Sequence, residues 1–367
     1  MRQSSHIPWL RVAKEILRCN IAKVYPDILD EVSITPLYAN FWVTTRCSGR
    51  CKTCTQWQQE AHEELGTQEL KETIYNLKKE GVFIIYFVGG DIFLRKDIFE
   101  LIRFATELGL RVHLTVNAYT LTEEIAKALQ VSGTSSIHLS IDSLDHDFDD
   151  IRGIEGAAKK VLNSLKLLHK HRDHGMSLGL SATIMKDTIP SVKEVVCFAI
   201  QNSYTMFFNL INFTHDFFAT DFSREQYNLE PQEKKELQDL VHWLKQKHME
   251  YPMLIPRLDH LEWIGKYFSG YQQKGTPCFQ TLLKVCVKAN GDVRPCCSME
   301  TTGNLRKQTL KDIVRTEQYR GLLKKAIKKD CPGCSCRYTL NLDASMASWF
   351  RELLHRFGMK AWDRTTY

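Results

Sequence analysis

Cys47, Cys51 and Cys54 stand in the run Thr44-Thr45-Arg46-Cys47-Ser48-Gly49-Arg50-Cys51-Lys52-Thr53-Cys54, a CxxxCxxC triplet directly after the apolar, strand-like stretch Leu37–Val43. Three thiolates on one short loop can hold three corners of a cubane [4Fe-4S] cluster and leave the fourth iron open to a ligand that is not protein. An open iron is a reactive iron. With 12 cysteines in 367 residues, random placement yields only roughly 0.01 such triplets. A zinc loop would draw on the same soft ligands, but a structural zinc site wants four of them, usually as CxxC pairs, and this loop supplies three. Iron is the expectation and zinc the alternative.

The elements that must position this loop lie downstream of it. Short β-forming runs at Val82–Val88, Arg111–Val116, Ser136–Ile141, Met176–Ile184 and Tyr204–Ile211 alternate with segments of helical spacing at Gln68–Glu80, Asp97–Leu108, Thr122–Val131, Glu155–His171 and Pro190–Asn202. Near-continuous apolar strands are those covered on both faces. Counting the strand before the cysteines gives six βα units, which implies a parallel sheet with right-handed crossovers. Six units are too few to close an eight-fold barrel, so an α/β partial (β/α)6 barrel is expected. Ligands in such folds collect at the carboxyl ends of the strands, the face on which the cysteine loop lies.

Charged residues at 25% and apolar ones at 43% describe an ordinary globular protein. No apolar run reaches the roughly 18 residues needed to cross a bilayer, and the N-terminus lacks a secretory pattern, so a cytoplasmic location is expected. There, cysteines more often hold metal or do chemistry than form disulfides. Ten of the twelve fall into two groups, Cys47 to Cys54 and Cys278 to Cys336, while Cys19 and Cys197 read as buried small hydrophobes on helices. A net charge of +6 spread along the chain is too small to argue for nucleic-acid binding.

With these features the chain resembles the radical S-adenosylmethionine (SAM) superfamily from about Leu37 to Cys336. The resemblance implies that SAM chelates the open iron through its amino and carboxylate groups. Its reductive cleavage then gives a 5′-deoxyadenosyl radical that abstracts a substrate hydrogen. An external flavodoxin- or ferredoxin-like electron donor is implied as well. Gly89-Gly90-Asp91 after the second strand is similar to the family's Gly-Gly-Glu, which touches the SAM amino group; glycines allow close backbone approach and a carboxylate can pair with an ammonium. Asn117, Ser140, Asp142 and Arg152 match the segment that binds the SAM ribose and carboxylate, a guanidinium fork suiting a carboxylate. For Asn117 and Asp142, helix capping is the alternative role. His146 reads as a helix-start histidine. Many family members carry an aromatic just before the third cysteine; here Thr53 stands there, with Trp57 as the candidate substitute.

The second cysteine group comprises Cys278, a hairpin around Asn290-Gly291-Asp292 between Leu283–Lys288 and Val293–Pro295, Cys296, a helix at about Leu310–Ile327, and Cys331-Pro332-Gly333-Cys334. This resembles the SPASM/twitch type of auxiliary-cluster domain, a β-hairpin plus helix. The resemblance implies a second, fully ligated [4Fe-4S] cluster on Cys278, Cys296, Cys331 and Cys334, with Cys297 or Cys336 able to replace a neighbour and Cys286 spare. A four-cysteine zinc ribbon is the alternative.

The expected organisation is an amphipathic N-terminal extension (1–36), a core barrel (37–235), a helical linker (236–277), the auxiliary domain (278–340) and a C-terminal amphipathic helix (341–367). In Trp9–Val24, Leu10, Ala13, Leu17, Ile21 and Val24 share one helical face and Arg11, Lys14, Arg18 and Lys23 lie elsewhere; Met346–Trp362 is again amphipathic. Both are expected to pack on the domain, with peripheral membrane contact as the alternative. The expected function is a SAM-cleaving oxidoreductase acting on a small molecule: a sugar, a cofactor precursor or a lipid-linked intermediate. Phe208, Asn209, Asn212 and His215 are placed at the substrate, and His215 or Cys286 is the candidate proton carrier. The alternatives are modification of a ribosomal peptide and a non-catalytic electron-transfer or binding protein.

Overall fold

Six strands alternate large apolar residues with polar or aromatic ones, and the period of two fixes which side of the sheet each residue takes. They are β1 (Tyr38–Thr44), β2 (Ile84–Gly89), β3 (Arg111–Val116), β4 (Ser136–Ser140), β5 (Ser177–Ile184) and β6 (Thr205–Leu210). These elements come from a computed structural model, in which the described residues are 8–32, 34–59, 63–171, 175–211, 228–268, 278, 280–328 and 330. Asn212, His215, Cys331, Cys334, Cys336 and the Met346–Trp362 segment lie outside them.

All neighbouring pairs from β1 to β6 are parallel. On one side Phe41, Phe87, Leu114, Leu139, Leu180 and Phe208 are fully buried. Over this side pack the crossover helices, which bury their own apolar stripes: α3 (Thr67–Lys79), α4 (Ile98–Glu107), α5 (Glu123–Val131), α7 (Ala157–His171) and α8 (Val192–Gln201), with the short α6 (Asp147–Arg152) at the site. Burying each such side chain stabilises the fold by about 1.5–3 kcal/mol. The opposite, inner side carries the half-buried Asn40, Tyr86, His113, His138 and Asn209. The partial α/β barrel expected from the sequence is the fold observed.

The auxiliary hairpin continues this sheet. β7 (Lys284–Val287) pairs parallel to β1, and β8 (Asp292–Arg294) and β9 (Gly303–Asn304) follow antiparallel, giving nine strands in the order β6-β5-β4-β3-β2-β1-β7-β8-β9. Gly291 takes φ +90° in the turn, where a side chain would be strained. Helix α9 (Pro231–Glu250) and α10 (Leu258–Tyr267) come between, and α11 (Gln280–Leu283), α12 (Leu310–Val314) and α13 (Glu317–Lys328) complete the C-terminal part.

Three expectations are corrected. Helix α1 (Trp9–Val24), followed by the short α2 (Ile28–Glu31), buries Val12, Ile16, Cys19 and Ala22, whereas Leu10 (91% exposed), Leu17, Ile21 and Val24 face outward, because a second apolar stripe on the other side docks the helix. Cys197 is exposed, since α8 packs through Val192, Val195, Val196 and Ala199. Phe208 points into the helix-covered core, one residue out of phase with the inner wall, while Asn209 lies on that wall and donates to Ser181 Oγ at 2.9 Å. No described helix is long and apolar enough to cross a membrane.

Candidate functional site

The cysteine loop leaves the carboxyl end of β1 and is fastened on two sides. Gly90 N donates to Thr44 O and Asp91 N to Arg46 O, at 3.1 and 2.7 Å. A Cβ on Gly90 would meet Arg46 O at 2.1 Å, so only glycine permits this approach. On the other side Arg50 N and Lys52 N donate to the carbonyls of Arg152 and Ile151. Gly153, at φ +61°, allows the chain to pass there.

Backbone N–H groups of Gly49 and Gln56 point at the sulfurs of Cys47 and Cys54, both at 3.4 Å. Side chains do the same: Asn117 Nδ2 lies 3.7 Å from Cys47 Sγ and an Arg152 terminal nitrogen 3.9 Å from Cys51 Sγ. Such donors favour thiolate over thiol. Burial works the other way, raising the Cys47 thiol and pushing Cys54 up to about 12, with the neighbouring cysteine charges adding to the rise. Three half-buried cysteines on one loop, with donors aimed at them, are held as thiolates once a cation binds them, which iron–sulfur ligation provides.

Asp91 is fully buried and its carboxylate accepts from Ser48 Oγ and Thr120 Oγ1 at 2.8 Å and from Phe93 N at 3.1 Å. It braces the loop from behind. Asp142 accepts from Thr183 N at 2.7 Å and pairs with Arg152 at 2.7 Å, and the Arg152 guanidinium also lies over the Phe148 ring. Asp142 thus orients Arg152 beside Cys51. Ser140 sits half-buried at the end of β4, paired with Ser181 across the sheet. Trp57 lies beneath the Arg50 guanidinium, and His146 is exposed at the start of α6.

Four buried polar atoms around this loop have no hydrogen-bond partner among the described residues: Trp57 Nε1, Asn117 Oδ1, Tyr119 Oη and Arg152 Nε. Each such atom costs about 1–3 kcal/mol unless something binds it. Donors and acceptors converging on three thiols fit a cluster whose free iron carries a zwitterionic ligand. Sequence reasoning missed Ser48, Glu64, Tyr119 and Thr120, which have no motif of their own. Glu64 accepts from Thr44 Oγ1, Thr45 N and Thr45 Oγ1 at 2.8, 2.6 and 3.0 Å, and so holds the root of the loop.

The second group is built differently. Cys296 packs with Met299, Leu322 and Ala326, and Cys278 and Cys297 lie against the same patch. Cys278 N donates to Ala326 O at 3.5 Å. Three cysteines packed on one apolar patch are of the soft-ligand kind. Cys286, also buried, sits apart on β7 opposite Asn40 and Arg294.

Residues 43–187 match the model of the radical SAM superfamily, and residues 278–336 that of an iron-sulfur cluster-binding domain, SPASM. A stretch of 161 residues, 42% of the chain, is 34% identical to an AdoMet-dependent heme synthase of Oleidesulfovibrio alaskensis, and it spans 40% of that relative, under half its length. An AdoMet-dependent heme synthase of Methanosarcina barkeri is 25% identical over 75% of the chain and 83% of its own length. Among solved structures, Streptococcus suis SuiB bound to its precursor peptide SuiA superposes with a TM-score of 0.65 at 17% identity, covering 88% of this chain and 76% of that one. The last likeness is one of fold.

Proposed function

We propose that this radical SAM superfamily enzyme, with its C-terminal SPASM-type iron–sulfur module, acts on a small molecule of the cofactor-precursor class, an iron tetrapyrrole foremost. Cys47, Cys51 and Cys54 would hold the first [4Fe-4S] cluster, and Cys278 and Cys296, with Cys331 and Cys334, the second. When bound, the first cluster and SAM supply one-electron cleavage of the sulfonium and hydrogen-atom abstraction. The observation that carries this reading is the set of unpartnered polar atoms of Trp57, Asn117, Tyr119 and Arg152 around three thiols. Asn117 and Tyr119 would meet the polar groups of SAM, and Arg152, oriented by Asp142, its carboxylate.

Two features favour the tetrapyrrole. The Methanosarcina relative, named an AdoMet-dependent heme synthase, matches 75% of the chain and 83% of its own length. The inner wall below the loop carries flat rings: Tyr86 stacks on His113 at 4.9 Å, and His138 follows on the next strand. Burial pushes His113 down to about 3 and His138 to about 4, so both imidazoles are neutral, the state that faces an apolar ring or ligates iron.

The test is to add an iron porphyrin bearing propionate side chains to anaerobically reconstituted protein with SAM and reductant. A shifted Soret band, lost in His113→Ala, together with faster 5′-deoxyadenosine release supports the reading. No spectral change, with release stimulated by a peptide instead, would refute the substrate class and favour peptide modification.

A further inference from the structure

The segment Glu63–Gly66 is held at once by both modules. Toward the first, the Glu64 carboxylate takes three hydrogen bonds from Thr44 and Thr45, immediately before the cysteine loop, with Arg46 at 3.8 Å and Arg95 at 4.0 Å. Arg95 in turn donates to Val43 O at 2.9 Å and grips Asp97, so the base of the loop and the start of α4 share this network.

Toward the second module, Leu65 N donates to Ala289 O at 2.8 Å in the β7–β8 hairpin, and the Leu65 side chain is buried. Arg306, just after β9, donates to the carbonyls of Glu63 and Glu64 at 2.9 and 3.2 Å and forks onto Glu69 at 2.7 and 3.2 Å. Glu63 has φ +62°, a left-handed conformation unfavourable for a residue with a side chain. Its carbonyl is one of those that Arg306 holds.

We propose that Glu64 is a positioning residue through which the C-terminal module, by way of Arg306 and Ala289, sets the position of the Cys47–Cys54 loop. The reading rests on that loop holding the SAM-binding cluster. A carboxylate joined to Thr45 N transmits a displacement of its own backbone directly to the residue two before Cys47. The hairpin of the second module is thereby coupled to SAM binding at the first, whatever electrons pass between them.

The test uses the full chain with both clusters reconstituted, reading the SAM dissociation constant and the electron paramagnetic resonance signal of the reduced first cluster with and without SAM. Arg306→Ala should weaken SAM binding by roughly tenfold, the loss of one or two charge-assisted hydrogen bonds, and should alter the SAM-bound signal. Arg306→Lys should restore part of both. Glu64→Gln should reproduce the change, and adding Arg306→Ala to it should cost little more, because the two lie on one path. Glu69→Gln, at the surface, should give a smaller change in the same direction in a fold left intact. Arg306→Ala with full iron, wild-type affinity and an unchanged signal would overturn the proposal. A wild type whose reduced signal ignores SAM would instead overturn the cluster reading beneath it, and the proposal with it.

Discussion

The two cysteine groups flank one sheet, and the side chains packed against them differ. Around Cys47, Cys51 and Cys54 lie Asp91, Asn117, Tyr119 and Arg152, several with polar atoms that nothing among the described residues engages. Around Cys278, Cys296 and Cys297 lie Met299, Leu322 and Ala326. A polar shell with spare donors recognises a charged, exchangeable ligand. An apolar shell keeps water from whatever it encloses, and burial of that kind would tune the potential of a cluster held there. The chemistry of each site is thus legible in its surroundings as much as in its sulfurs.

The contrast is put under the greatest strain at Gly90. Gly90→Ala places a methyl group against Arg46 O and should abolish iron retention by the first loop while the second group keeps its own, measured as iron per chain and by the surviving spectrum. Equal loss from both would mean that the two sites do not fold separately. Leu322→Ala opens the apolar nest and should cost about 2–4 kcal/mol in chemical denaturation, with SAM binding the less affected of the two functions.

Acid separates the two regions further. His113 and His138 have pKa values lowered to about 3 and about 4 by burial, so the unfolded chain binds more protons below its own value near 6.5. Their contribution is complete above that pH and is lost as pH falls from about 6.5, down to about 4 for His138 and about 3 for His113, at up to about 1.4 kcal/mol per unit for each group. His113→Gln should flatten the fall in melting temperature over that window; an unchanged slope would place the imidazole in water. The smallest effect is expected at Tyr319, whose hydroxyl is buried without a partner among the described residues. Tyr319→Phe should leave stability unchanged or raise it by about 1 kcal/mol, and a clear loss would reveal a ligand on that oxygen.

How much of this is legible in the sequence depends on the range of the interactions. The cysteine spacing is covalent, and the strands announce themselves by period, so the first loop, the six βα units and the hairpin at Gly291 are readable in one dimension. Glu64, Ser48 and Thr120 are not, because each acts on a residue 20 to 43 positions away that folding alone brings near. Phe208 shows a subtler limit: in a strand of four large residues, one position of phase exchanges core for wall. Helix α1 shows another, since two apolar stripes compete and amphipathic spacing does not say which one docks. Asp91 sits where the radical SAM pattern that the chain resembles has glutamate, yet its carboxylate is spent on Ser48 in the loop and on Thr120 and Phe93.

The decisive measurement is 5′-deoxyadenosine release from anaerobically reconstituted protein given SAM, with and without a strong reductant, in the wild type and in Cys51→Ala. Reductant-dependent release is expected from the wild type and none from the variant, with the variant keeping about half of the iron because only the first cluster is lost. Release that persists in Cys51→Ala, or zinc in place of iron in the wild type, would show that the Cys47–Cys54 loop does not hold a SAM-cleaving cluster.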